Sequence, residues 1–478
     1  MIIMKYEMVI GLEVHTELAT KSKIFCSCTT EFGGEPNTHC CPICTGMPGV
    51  LPKLNKKVVE CGIAVGLATN CEITPYGKFD RKNYFYPDLP KAYQVSQLYL
   101  PICRNGYVEI EGEGFHKKIG IHEIHMEEDA GKLIHDPIFD TTRADYNRCG
   151  VPLLEIVSEP DFRSAEEVIA YLETLKATLQ YLGVSDCKMQ EGSLRADVNL
   201  SVRPEGQEEF GTRTEMKNIN SFRAIARAIA AEKKRQIEVL ESGGKVIQET
   251  RRWDDAAGKS YAMRSKEDAQ DYRYFPEPDL APVVISEEWK EEIRAGLPML
   301  PKERKQKYIE ECGLSEYDAR LITEIKALAD YFDEVNEIVN NPKEVANWLL
   351  GDFMRLAKEG EEDCFNIFLD ASKLAEIILM LKENLINRNT AKDVFAAVWK
   401  ENLDPRKYVE EHDLAMVGDD NLVKDTVEKV LAANPKTIEE YKAGKTKVLG
   451  FLVGQCMKEL KGKADPGTIN ALLRDALK

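Results

Sequence analysis

This 478-residue sequence has no apolar run near the ~20 residues that a bilayer-spanning helix requires; "VLGFLVG" from Val448 is typical of its longer ones. Its start shows no basic region, apolar stretch and cleavage site in succession, so no secretory leader is expected. A surplus of basic residues is also missing: 64 Lys and Arg face 81 Asp and Glu, a formal net charge of −17, which excludes a surface coated for phosphate backbones. The common nucleotide loops are absent. "AGKT" at Ala443 lacks the earlier glycine of a phosphate loop because Glu439 stands there, and after Gly112 and Gly114 the third glycine of a dinucleotide fingerprint is replaced by Lys117. Thirteen cysteines, an odd number scattered from Cys26 to Cys456, fit reduced thiols in a cytoplasmic protein better than a disulfide framework.

The length is ample for a large core and for two to four domains. Alternation marks two half-buried strands in the first part. In "MVIGLEVHTEL", Met8, Ile10, Leu12 and Val14 face one way and Glu13, His15 and Glu17 the other; in "LRADVNLSVR", Leu194, Ala196, Val198 and Leu200 oppose Arg195, Asp197 and Asn199. "SAEEVIAYLETLKATLQYLG" reads as a helix with a capping box from Ser164 to Glu167 and a stop at Gly183, and a second helix runs from about Ser221 to Ser242. Beyond "FPEPDLAPVVI" nearly every segment is helical, with caps at Ser315 and at Asn341 before Pro342. The fold class is therefore α+β: a mainly antiparallel-sheet N-terminal domain with helices, residues 1–295, then an all-α region, residues 296–405, and a small helical tail, residues 406–478. In the tail Gly462 and then Asp465 with Pro466 separate two short helices. From Pro435 onward nine Lys or Arg meet five Asp or Glu, a local charge of +4 that leaves −21 for the rest. That tail is a nucleic-acid contact or a solvated helical face.

Five cysteines lie between Phe25 and Pro52. Cys26 and Cys28, twelve residues, then Cys41 and Cys44 give two close pairs joined by a returning loop, as four tetrahedral thiolate ligands need. A redox pair at Cys41 and Cys44 is the rival, but the surrounding glycines and prolines read as loop rather than as a strand-to-helix junction. Four thiolates close the shell, so a zinc ion here is structural. Cys40 stands beside the cluster, and spacing does not choose between it and Cys41.

Acid and base groups gather elsewhere. Glu13 and His15 share a strand face; "HEIHMEEDAGK" adds His122, His125, Glu127, Glu128 and Asp129; Asp197 and Glu215 are flanked by Arg195, Arg213 and Lys217. Carboxylates for magnesium with Arg and Lys for phosphate are the parts of a phosphoryl-transfer site, against the alternative of scattered surface ion pairs. "KFDRKNYFYPDLPKAYQVSQ" interleaves Lys82 with Tyr84 and Tyr86, suited to a nucleotide or an RNA end, or else to plain loop packing.

"GLEVHTEL", "KFDRKNYFYPDLPKAYQ", "HMEEDAGK", "CGVPLLEIVSEPD", "MQEGSLRADVNLSVRP" and "TEMKNINSF", in this order over nearly the whole chain, resemble the B subunit of the aspartyl/glutamyl-tRNA amidotransferases. The resemblance implies a cradle-like catalytic domain and a cytoplasmic enzyme that uses ATP and Mg²⁺ to phosphorylate the side-chain carboxylate of Asp-tRNA(Asn) or Glu-tRNA(Gln). Ammonia made by an amidase, the A subunit, then displaces the phosphate, and a small C subunit completes the heterotrimer. It implies magnesium ligands among Glu13, His15, Glu127, Glu128, Asp197 and Glu215, with Glu13, His15 and Glu128 foremost; alternation turns Glu127 and Glu128 to opposite faces unless the strand ends there, and does not choose which of the two is the direct ligand. It places Lys82, Tyr84 and Tyr86 in the motif that borders the ammonia tunnel's mouth in the family and implies structural zinc on Cys26, Cys28, Cys41 and Cys44; Lys82 is the catalytic candidate there, and Tyr84 and Tyr86, with the phosphate-suited Arg195, Arg213 and Lys217, are the nucleotide-contacting ones. The tail lysines Lys442, Lys445, Lys447, Lys458, Lys461 and Lys463 would grip misacylated tRNA. The competing readings are a non-catalytic zinc-bearing module that delivers tRNA and a free-standing metal-dependent hydrolase.

Overall fold

The computed structural model describes residues 5–136, 138–265, 271–360, 367–416, 420–442, 448–460, 463–464 and 466–477. Lys445, Lys447, Lys461, Gly462 and Asp465 lie outside them, as does the side chain of Lys442. The chain divides into two compact units, Met1–Leu300 and Pro301–Lys478.

In the first unit the strands run β1 (Tyr6–Glu17), β2 (Glu72–Ile73), β3 (Tyr76–Gly77), β4 (Asp80–Asn83), β5 (Tyr93–Ser96), β6 (Cys103–Gly112), β7 (Phe115–Glu128), β8 (Lys132–Asp136), β9 (Thr141–Asp145), β10 (Pro152–Ser158), β11 (Leu194–Pro204), β12 (Thr214–Lys217), β13 (Glu249–Asp254), β14 (Lys259–Ser265), β15 (Phe275–Pro276) and β16 (Val283–Val284). Nine form one sheet in the order β14-β13-β12-β11-β1-β10-β7-β6-β2. Its pairings are antiparallel except β12 with β13, so the sheet is mixed only at that joint. Helices α1 (Lys56–Ala68), α2 (Ala165–Tyr181), α3 (Phe222–Glu241) and α4 (Glu287–Ala295) complete the unit.

The alternation of β1 decides which face is which. Ile10, Leu12 and Val14 are essentially inaccessible and join Leu172 and Leu175 of α2 and Ile225 and Ala228 of α3 in one core. Each apolar side chain so buried contributes roughly 1.5–3 kcal/mol. Glu13, His15 and Glu17 are then forced to the opposite, polar face. The cap of α2 is as the sequence indicates, with Ser164 accepting from the Glu167 N–H at 3.2 Å, but the Glu167 carboxylate returns to the Arg163 N–H at 2.8 Å, one residue further back.

The second unit is helical among its described residues. Its helices are α5 (Pro301–Glu310), α6 (Glu316–Thr323), α7 (Lys326–Val339), α8 (Pro342–Trp348), α9 (Met354–Glu359), α10 (Ala371–Lys382), α11 (Arg388–Glu401), α12 (Pro405–Glu411), α13 (Asp420–Ala433), α14 (Pro435–Lys442), α15 (Val448–Glu459) and α16 (Pro466–Ala476), with a π-helical turn at Leu349–Phe353. Ser315 caps α6, and Asn341 caps α8 with Pro342 in its first turn. The last helices close on a core of their own, including Val427, Leu452, Cys456, Ile469 and Leu473. Lys458 is exposed in the last turn of α15, whereas Lys463 is tied to Asp413. No described helix is long and apolar enough to cross a membrane.

Candidate active site

Strand register assembles the polar face. Across β1, Glu13 is level with Asp197 of β11, and His15 is level with Arg195 of β11 on one side and Glu155 of β10 on the other. Glu155 in turn faces His125 of β7, and Leu153 faces Glu127; on the other flank Asn199 faces Glu215 of β12. Five neighbouring strands thus deliver their polar residues to one band of surface.

Two groups emerge in that band. Ligand atoms of His15, Glu127 and Glu155 lie within 4.8 Å of one another, as do those of Glu13, Asp197 and Glu215. Three ligand atoms at that spacing can close on one divalent cation after small side-chain rotations; the first group offers two oxygens and an imidazole nitrogen, and the all-oxygen set of the second matches the preference of a hard cation such as Mg²⁺. In the second group Asn199 donates to Glu13 at 2.9 Å, Thr250 donates to Glu215 at 2.8 Å, and the Lys217 ammonium bridges Asp197 and Glu215.

Burial makes the first group electrostatically tense. It pushes the Glu155 carboxyl up to about 8, helped by the charges of Glu127 and Glu13, and it holds His15 below the ordinary imidazole value despite the attraction of Glu127. Burial also works to raise Glu127, but Lys82, His15 and the Ser96 hydroxyl outweigh it and keep that carboxyl below the usual range. Lys82 is raised in turn: desolvation opposes its charge, and Glu127 foremost overcomes that. Its ammonium stands 5.0 Å over the Tyr272 ring, on which Tyr84 also packs edge-on at 5.9 Å. Arg195 is fixed by Asp129 at 2.9 Å.

Not every expected residue joins the band. Glu128 points to the opposite face of β7: it pairs with Lys91 and accepts from the Val95 N–H at 2.9 Å. Glu127, rather than the foremost-ranked Glu128, is thus the one brought together with His15. His122 is turned outward to Glu159 at 2.9 Å, Arg213 is exposed and lines a 250 Å³ cavity beside Glu13 and Asn199, and Tyr86 is 58% exposed, outside both groups. Glu155 is the residue sequence reasoning missed. Its signal was a single carboxylate in the apolar alternation "PLLEIVS", where Leu154 and Ile156 must take the core.

The thiol cluster lies in the irregular chain between β1 and α1. Ligand atoms of Cys26, Cys28, Cys41 and Cys44 are within 4.8 Å of one another, and none is in a disulfide. Cys41 and Cys44 sulfurs are 4.0 Å apart, against about 3.8 Å for two thiolates at 2.3 Å from a tetrahedral zinc. The Cys41 N–H donates to the Cys44 sulfur at 3.2 Å, and Gly46 takes φ +67° where a Cβ would strike Lys91. The donor set fits structural zinc. Cys40 turns away to the Asn37 carbonyl at 3.3 Å, so Cys41 is the ligand candidate. The hydrogen bond from Cys26 holds the Cys44 thiol low and the Cys26 thiol high, the pattern of a shared thiol–thiolate pair. The loop is pinned to the sheet at Gly150, whose carbonyl accepts from the Ile24 N–H at 3.0 Å.

Comparison with known proteins agrees with this geometry. Residues 8–291 match the family described as the GatB/GatE catalytic domain, and residues 330–477 match the GatB domain. Curated relatives, each the B subunit of an aspartyl/glutamyl-tRNA(Asn/Gln) amidotransferase, include one from Lachnoclostridium phytofermentans, 66% identical over 99% of both chains. Those of Caldicellulosiruptor saccharolyticus and Thermoanaerobacter pseudethanolicus are 59% and 55% identical, over 99% of this chain and 99% and 100% of theirs. With six sequence motifs in order, a mixed sheet bearing an acidic face, and matches over nearly its full length, the chain belongs to the family of the B subunit of the tRNA-dependent aspartyl/glutamyl amidotransferases, enzyme subunits of protein biosynthesis.

Proposed function

We propose that the acidic band is where ATP activates the side-chain carboxylate of Asp-tRNA(Asn) or Glu-tRNA(Gln), and that the activated acyl group is amidated with ammonia from an amidase partner, the A subunit, in a heterotrimer with a small C subunit. The observation that carries this is the pairing of two three-ligand groups, His15 with Glu127 and Glu155, and Glu13 with Asp197 and Glu215, on one sheet face. Magnesium bound there would neutralise the phosphates and the incoming carboxylate, which otherwise repel each other.

This chain's own residues supply the rest. The side-chain carboxylate oxygen attacks the γ-phosphorus as its bond to the bridging oxygen breaks and ADP leaves; ammonia then forms the C–N bond, phosphate leaves, and a proton is lost to solvent. In this reading Lys82 and Arg195 meet the transferring phosphoryl oxygens; the contacts of Lys82 with Glu127 and Tyr272, and of Arg195 with Asp129, support it. Lys217 supplies positive charge to the second group, and Arg213 with the neighbouring cavity is positioned for the nucleotide side. Tyr84 holds Tyr272 in place; Tyr86, exposed on the same segment, is a contact for the acceptor end. Residues 1–295 form the catalytic body, 296–405 the helical middle and 406–478 the tRNA-holding tail in this reading.

The test is Mg²⁺-dependent ATP hydrolysis by the chain with its A and C partners, stimulated by misacylated tRNA and accompanied by Asn-tRNA or Gln-tRNA formation. No ATP turnover and no amidated product would return the chain to the tRNA-delivery reading.

A further inference from the structure

The thiol cluster carries a charge problem that its four ligands do not solve. Four thiolates around Zn²⁺ sum to two negative charges, set in a loop whose Cys44 is buried at 5% exposure. Directly beneath it lies Lys23, a lysine with 0% exposure, which is rare because an uncompensated buried ammonium costs several kcal/mol. Its Nζ donates to the His39 carbonyl at 2.7 Å and to the Cys44 sulfur at 3.7 Å. Among the described residues Lys23 has no carboxylate within ion-pair distance. Glu128 turns its Oε2 toward Gly150, as Lys23 turns its Cδ, but it forms no ion pair with Lys23, and its charge is shared with Lys91 and the Val95 N–H through Oε1. The cluster sulfur is therefore the anion that Lys23 answers.

Backbone bonds keep it there. The Lys23 N–H donates to the Cys28 carbonyl at 3.0 Å, so the residue that supplies the cation is tied to the first cysteine pair, while its side chain reaches the second. Lys91, the other lysine by the cluster, cannot substitute, because its ammonium is committed to Glu128.

We propose that Lys23 is the charge-balancing hydrogen-bond donor of the thiolate centre, a positioning residue that holds Cys44 and lowers the net charge of the zinc-bound cluster from two negative to one. It rests on the zinc reading of the four cysteines. Removing a partner that hydrogen-bonds a metal ligand typically weakens metal affinity by about 10- to 100-fold.

The experiment uses the full-length chain purified anaerobically, with zinc content, the rate of zinc transfer to a chromophoric chelator, and the thiolate-to-metal absorption of the Co²⁺-substituted protein as readouts. Lys23→Met is expected to release zinc about 10- to 100-fold faster and to shift the Co²⁺ charge-transfer band; Lys23→Arg, which keeps the charge, stays within about threefold of the unsubstituted chain. Should Lys23→Met not fold, Lys23→Gln, uncharged but still an N–H donor, takes its place in the same comparison. Release and spectrum unchanged in the uncharged variant would overturn the role of Lys23, whereas absence of zinc from the unsubstituted chain would instead remove the zinc reading itself.

Discussion

Glu127 and Glu128 are adjacent at the end of β7, and their exchange for glutamine separates the two faces of the sheet. Glu127→Gln preserves shape but removes a charge that faces His15 and Lys82 and the carboxylate that completes a three-ligand group. Loss of one such preorganised group costs about 10²–10³ in rate, roughly 2.7–4 kcal/mol of transition-state stabilisation. Glu128→Gln leaves the amide oxygen able to accept the Val95 N–H but strips Lys91 of its counter-charge. A fully buried pair broken from one side costs about 3–5 kcal/mol; with the Lys91 side chain 12% exposed, about 2–3 kcal/mol is expected. At about 2–4 °C per kcal/mol for a large domain, Tm falls by about 4–12 °C. The assay is tRNA-dependent ATP hydrolysis at 25 °C beside differential scanning calorimetry of the same preparations. Glu127→Gln loses turnover with Tm little changed; Glu128→Gln loses stability and keeps most of its turnover. The reverse pattern, with Glu128→Gln inactive and Glu127→Gln active, would refute the facing assigned to these side chains.

Chelating the metal, or replacing Cys41 and Cys44 by serine, is expected to lower Tm more than it lowers turnover at low temperature; equal Tm before and after zinc removal counts against a structural role. Truncation at about residue 405 is expected to weaken tRNA binding in a filter assay while sparing glutamine hydrolysis by the partner, with a shallower dependence of affinity on salt; an unchanged affinity and salt slope would detach the tail from tRNA. In the second unit Arg304, 8% exposed, holds Asp330 at 2.6 Å and Asp333 at 2.7 Å. Arg304→Met removes the guanidinium from two carboxylates that are 39% and 41% exposed, and is expected to destabilise that unit by about 1–2 kcal/mol. Denaturant unfolding followed by far-UV circular dichroism measures this, and a change below about 0.5 kcal/mol would contradict it.

What the sequence made legible follows the reach of local rules. Period-two alternation is enough to put Glu13 and His15 on a polar face and Leu12 and Val14 in the core, and the caps at Ser164, Ser315 and Asn341 are decided within four residues. Cysteine spacing is local in the same sense. Register is not: that His15 stands level with Glu155, 140 residues later, depends on which strands pair, and that has no local signature. Which of Glu127 and Glu128 meets His15 is a matter of register in the same way, since alternation says that they diverge but not which face each takes. Lys23 was invisible too, because a lysine in a polar loop ordinarily faces water.

The place of β1 bears on how the protein is made. It precedes every other described strand in the chain, yet in the finished sheet it lies between β10 and β11, so both of its hydrogen-bonding edges await chain more than 130 residues downstream. At ordinary translation rates that wait is on the order of ten seconds, during which an apolar strand with two open edges is exposed. The acidic band cannot exist, and cannot capture stray divalent ions, until the last of its strands has been synthesised and β1 has been enclosed by segments made well after it.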